Sequence, residues 1–114
     1  AAARDWLAEL GRQARAITVV THMELLEGCR TKAERADLRR FVGTQFHCVY
    51  GLSDGIGETG LALMERHRPS LNLRMADALI AATCLVNQEP LGTGNARHFQ
   101  AIAGLQVIKP PYRT

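Results

Sequence analysis

Two carboxylates, each placed to open a helix, are the residues of this chain best suited to chemistry. Glu24 stands in Val20-Thr21-His22-Met23-Glu24-Leu25-Leu26-Glu27-Gly28, and Asp77 in Ala76-Asp77-Ala78-Leu79-Ile80-Ala81-Ala82-Thr83. A third polar group, Thr93-Gly94-Asn95, follows the short strand-like Pro90-Leu91. Acids at helix starts beside strand ends can gather over one edge of an α/β sheet. There they can hold a divalent cation through oxygen ligands, which points to chemistry on phosphates.

Each group also has a plainer account. Glu24 lies three residues after Thr21, so it fits the return half of a capping box as well as a ligand. Asp77 falls in the first turn of its helix, where the macrodipole favours a carboxylate by roughly 0.3 to 1 kcal/mol. Its neighbours Met75, Ala76, Ala78 and Leu79 are apolar, however, and a carboxylate there is costly unless it meets donors or a cation. Thr93-Gly94-Asn95 fits a turn with Asn95 capping a short helix over 96–99. His98 lies close enough in sequence to Asn95 to reach the same pocket. The literal G-x-G-x-x-G at Gly55-Ile56-Gly57-Glu58-Thr59-Gly60 is set aside as a dinucleotide site. Its first glycine comes several residues after the strand, and Asp54 and Glu58 would oppose a pyrophosphate. Among the four histidines there is no H-E-x-x-H spacing, and no Ser/His/Asp arrangement is visible.

The elements that must position these groups follow from periodicity. Helices are expected over Ala2 to Leu10, from about His22, from about Lys32, over Ser53 to His67 and over Met75 to Asn87. Strands are expected at Ile17 to Val20, Phe46 to Tyr50, Pro90 to Gly92 and Leu105 to Ile108, with a polar connection over Arg66 to Arg74. Thr21/Glu24 and Thr31/Glu34 both have the capping-box form. Leu25, Leu26, Leu38, Phe41 and Val42 are expected in the core, and Ile56, Leu61, Leu63 and Met64 are the apolar positions of the helix from Ser53. The helix from Met75 should be buried on more than one side, with Met75, Ala78, Leu79, Ala82, Leu85 and Val86 on one face. This alternation implies an α/β fold with a mainly parallel sheet covered by helices on both faces. A chain that opens with a helix lacks the strand with which such domains usually begin, so a strand is expected upstream of Ala1.

With 114 residues, 46% hydrophobic and 22% charged, the chain fits a single globular domain over 1–114. No apolar run approaches membrane-spanning length. Twelve of the fourteen cations are Arg, which pairs bidentately with phosphate, but the net charge of +3 supports an anionic partner only weakly. Cys29, Cys48 and Cys84 each sit among apolar neighbours, have neither zinc-finger nor C-x-x-C spacing, and are read as buried free thiols in a reducing cytoplasm.

The runs Val19-Val20-Thr21-His22-Met23-Glu24-Leu25, Ala76-Asp77-Ala78-Leu79-Ile80-Ala81-Ala82 and Thr93-Gly94-Asn95-Ala96-Arg97-His98-Phe99 occur in the order found in the PIN domain. The resemblance extends from about Trp6 to the C-terminus and is narrowest to the VapC-type ribonuclease toxins of VapBC pairs. It implies a PIN-like three-layer sandwich, lacking its first β-strand here, and a toxin that hydrolyses RNA as a Mg²⁺- or Mn²⁺-dependent endoribonuclease. Carried over by position, the metal ligands and catalytic residues are Glu24, Asp77 and Asn95, with Thr93 and His98 in support. The implied partners are a VapB-type antitoxin, an RNA substrate and a second copy of the chain in a homodimer. The family's opening strand ends in an Asp with no counterpart here, because Asp5 belongs to the helix that follows that strand. The fragment alone is therefore expected to have little activity, and a catalytically inactive PIN-like binding or dimerisation module is the competing reading.

Overall fold

The computed structural model describes residues 15–71 and 73–109, which fall into two compact units divided between Gly51 and Leu52. The helix expected over Ala2 to Leu10 lies outside the described residues.

In the first unit, β1 (Ala16–Thr18) pairs in parallel with β2 (Cys48–Tyr50), placing Ala16 opposite Cys48 and Thr18 opposite Tyr50. The Ile17 side chain is buried. The strand expected to reach Val20 stops at Thr18, because Thr18 ends the extended backbone as a helix N-cap. Its Oγ1 accepts the Thr21 N–H at 2.9 Å. Helix α1 (Val19–Glu27) therefore starts three residues before the position that Thr21 would have capped. Val19 and Val20 adopt helix despite their β-branching, a preference of only a few tenths of a kcal/mol per residue that a cap and burial of Val20 readily outweigh. Leu25 and Leu26, expected in the core, are 47% and 44% exposed.

The signal at Thr31 fares as expected. Thr31 Oγ1 accepts the Glu34 N–H and Glu34 Oε1 accepts the Thr31 N–H, both at 3.1 Å, so a complete capping box opens α2 (Lys32–Gln45). Val42 is buried, Leu38 and Phe41 are half-buried, and Arg35, Arg39 and Arg40 face solvent.

In the second unit, Ser53 Oγ accepts the Ile56 N–H at 3.2 Å at the start of α3 (Asp54–Leu71). This helix continues through most of the stretch read as a polar connection. Pro69 lies in its last turns, where the missing N–H donor weakens the helix, which ends two residues later at Leu71. Ile56 is buried, Leu63 and Met64 are half-buried, but Leu61 is 63% exposed. Gly55 and Gly57 are exposed within the helix, whereas Gly60 is buried, and a Cβ there would come within 3.2 Å of Leu79 Cδ2. The G-x-G-x-x-G run thus includes one glycine that permits close helix packing and forms no phosphate loop.

The partner in that packing is α4 (Met75–Val86), buried on several sides through Ala78, Ile80, Ala81, Ala82, Thr83 and Cys84. Small residues let the neighbouring backbone approach, and the Thr83 hydroxyl is satisfied inside the core by the Leu79 carbonyl at 2.7 Å. Met75 and Val86, expected inward, sit at the two ends and are exposed. A Schellman pattern closes α4: Glu89 N–H donates to the Cys84 carbonyl and Gln88 N–H to that of Leu85, with Gln88 at φ 55. β3 (Leu91–Gly92) then pairs in parallel with β4 (Val107–Ile108). Both strand pairs are parallel, in agreement with the α/β class read from the sequence.

Candidate active site

The capped start of α1 removes the structural account of Glu24. With Thr18 as N-cap, Glu24 is the sixth helical residue, too far along to return to the cap, and its exposed carboxylate has no hydrogen bond or ion pair among the described residues. Thr21 receives the Thr18 hydroxyl proton at 2.9 Å and has no capping role.

Asp77 does fall in the first turn of α4, where the dipole account holds. The N-cap, Arg74, contributes no side-chain hydrogen bond, so this helix start has no local cap. Asp77 is half-buried between an exposed Met75 and a buried Ala78, and its carboxylate meets no donor among the described residues. A partly dehydrated charge without a donor is the state that a cation would relieve.

Asn95, expected as a cap, stands at the N-cap position of a 3₁₀ turn (Ala96–His98) without making a side-chain cap bond. The loop is instead held from below. Thr93 N–H donates to the Ile108 carbonyl at 3.1 Å, anchoring the loop to β4, and Asn95 N–H donates to Thr93 Oγ1 at 3.0 Å. The Asn95 amide is thereby exposed and uncommitted on a fixed backbone. His98 N–H donates to the Asn95 carbonyl at 3.2 Å, and its Nδ1 is buried with no hydrogen-bond partner. Thr93, Asn95 and His98 are thus brought together in one turn, in the same unit as Asp77, while Glu24 belongs to the first unit. Among the described residues no three His, Cys, Asp or Glu side chains form a metal-binding group. Taken singly, the candidate donors are two carboxylates and an amide oxygen, hard-oxygen groups of the kind that Mg²⁺ or Mn²⁺ takes.

One buried polar residue was not signalled by the sequence. Arg15, just before β1, is 6% exposed, and its Nε and Nη1 have no hydrogen-bond partner among the described residues. A lone Arg before a β-branched run carries no pattern from which this could be read. All three cysteines are free, with Cys84 buried and Cys29 and Cys48 half-buried.

The PIN domain family model matches residues 1–105. The chain belongs to the PIN domain family. Among solved structures, this PIN domain is similar to a chain of a toxin–antitoxin complex from Klebsiella pneumoniae. The two are 28% identical, with 99% of this chain and 86% of that one covered at a TM-score of 0.76. It also shares its fold with a chain of VapBC2 from Rickettsia felis, solved bound to a DNA fragment from their promoter. There the identity is 19%, the coverage 82% of this chain and 73% of that one, and the TM-score 0.67. No curated protein matches the chain.

Proposed function

We propose that this PIN domain is the toxin of a toxin–antitoxin pair and acts as a metal-dependent endoribonuclease. The observation that carries the reading is the family match over residues 1–105 together with likeness to a toxin–antitoxin chain along 99% of the sequence. In support, Glu24 and Asn95 have lost the capping roles that would otherwise explain them, and Asp77 is half-buried without a donor.

In this reading Glu24 and Asp77 donate carboxylate oxygens, and Asn95 a neutral amide oxygen, to Mg²⁺ or Mn²⁺. The bound ion would supply a water of lowered pKa and neutralise charge developing on the phosphodiester. Thr93, whose Oγ1 already accepts the Asn95 N–H, fixes the loop and keeps its own proton to donate to substrate or solvent. His98 holds the other side of that loop through its bond to the Asn95 carbonyl. An antitoxin of the VapB type, an RNA substrate and a homodimer belong to the same reading, as does a cytoplasmic location. No described helix is long and apolar enough to cross a membrane.

The test is cleavage of labelled RNA by the full-length protein, freed of antitoxin, in Mg²⁺, in Mn²⁺ and in EDTA. Cleavage should require metal, and Glu24→Gln and Asp77→Asn should each slow it by roughly 10²- to 10³-fold, the range for losing one group that stabilises transition-state charge. A wild-type protein that binds its antitoxin yet cleaves no RNA in either metal would instead be a binding module.

A further inference from the structure

Helix α2 carries a row of cations that the proposed metal site does not use. Lys32, Arg35 and Arg39 are exposed at spacings of three and four, within about 60° of arc and about 10 Å of helix axis, and exposed Arg30 precedes them. Neighbouring members of such a row stand about 5–6 Å apart at Cβ. The acids of the helix are already occupied: Glu34 closes the capping box and Asp37 pairs with Arg40. Lys32, Arg35 and Arg39 have no ion pair among the described residues.

The row does not serve helix stability. Lys32 is the first helical residue and Arg35 lies just past the first turn, the end at which the macrodipole opposes cations, while the last turn has no basic residue. Arg35 and Arg39 are a like-charge i,i+4 pair, which costs about 0.2–0.5 kcal/mol. A folded partner protein would need an apolar anchor beside these charges. The exposed uncharged residues of α2 itself include Ala33, Ala36, Gly43 and Thr44, and the exposed Met23, Leu25 and Leu26 belong to the preceding helix α1. A linear row of Arg and Lys with no apolar anchor interleaved on its own helix matches a phosphate backbone, whose non-specific affinity comes from charge.

We infer that Lys32, Arg35 and Arg39 of α2, flanked by Arg30, form a track that holds the sugar-phosphate backbone of single-stranded RNA. The inference rests on RNA being the substrate and adds where its backbone runs. It sets register and affinity without reading sequence.

The experiment measures binding of a labelled, unstructured single-stranded RNA to the full-length protein in EDTA, by anisotropy across a salt series. The triple variant Lys32→Gln/Arg35→Gln/Arg39→Gln should bind roughly ten-fold or more weakly at low salt. Its slope of log affinity against log salt should be shallower by about 2, since three single-strand phosphate contacts each contribute about 0.7. Arg66→Gln, exposed on α3, should leave the slope unchanged. Thermal unfolding of the triple variant should be unchanged or slightly raised, because a like-charge pair has been removed. An unchanged slope overturns the track, as does a wild-type protein that binds no RNA. Retained RNA binding with lost antitoxin binding overturns it in favour of a protein partner. If the slope falls as expected but the wild type cleaves nothing in Mg²⁺, the track stands and the nuclease reading falls.

Discussion

Cys84 lies on the buried side of α4 beside the chain reversal at Gln88. Burial pushes its thiol up from 9.0 to about 11, and the charge of Glu89 adds to the effect. Because the folded pKa is the higher one, the neutral thiol's contribution to stability is complete below pH 9.0 and is lost as pH rises towards about 11. Urea unfolding of wild type should show an alkaline decline in that window that Cys84→Ala lacks. Equal declines in the two proteins would mean that the thiol is not held from water. The sequence showed that Cys84 had apolar neighbours, which gave burial. It did not show Glu89 returning to the Cys84 carbonyl, because that contact depends on a left-handed Gln88 that no residue preference announces. Glu24 and Asp77 were legible as candidate donors from residue type and motif. Which of them also served its helix depended on cap geometry, and Glu24 changed its status only when α1 was found to start at Val19.

At the scale of elements, the sequence favours Thr21 as the residue that opens α1, because Glu24 completes a capping box with it. The structure uses Thr18, whose extended backbone is the end of β1 and whose register against Tyr50 is fixed by the strand pair. Tertiary pairing thus selected the cap. Thr18→Ala should cost about 1 kcal/mol of stability through the lost bond to the Thr21 N–H. Thr21→Ala should cost less, since only a hydroxyl–hydroxyl contact goes with it. Denaturant unfolding of the two variants decides, and a larger loss for Thr21→Ala would restore the sequence reading. Thr31 was legible for a physical reason: its partner Glu34 is local, and no strand competes for the residue. The end of α3 was not, because a proline marks a weakened helix turn as well as a stop.

Across the whole molecule, the order of elements and the parallel sense of both strand pairs were legible, since alternating helix and strand periods leave few other ways to pair strands. The exposure of Leu25 and Leu26 was not, because periodicity shows which face is apolar and not what covers it. The same distinction governs the proposed metal site, whose donors are legible one by one while their joint action appears only in a property of the whole protein. Binding to the native state alone raises its stability by mass action, about 2.7 kcal/mol at a free-ion concentration one hundred times Kd. For a domain near 100 residues that is on the order of 10 °C in Tm. Mg²⁺ should therefore raise the Tm of the full-length protein, EDTA should reverse the rise, and Glu24→Gln and Asp77→Asn should each remove most of it. Thr18→Ala provides the contrast: its Tm starts lower, but the Mg²⁺ increment should persist, because it touches a cap and no donor. A Tm rise that survives in Asp77→Asn would place the ion elsewhere on the protein and leave that carboxylate to the helix dipole alone.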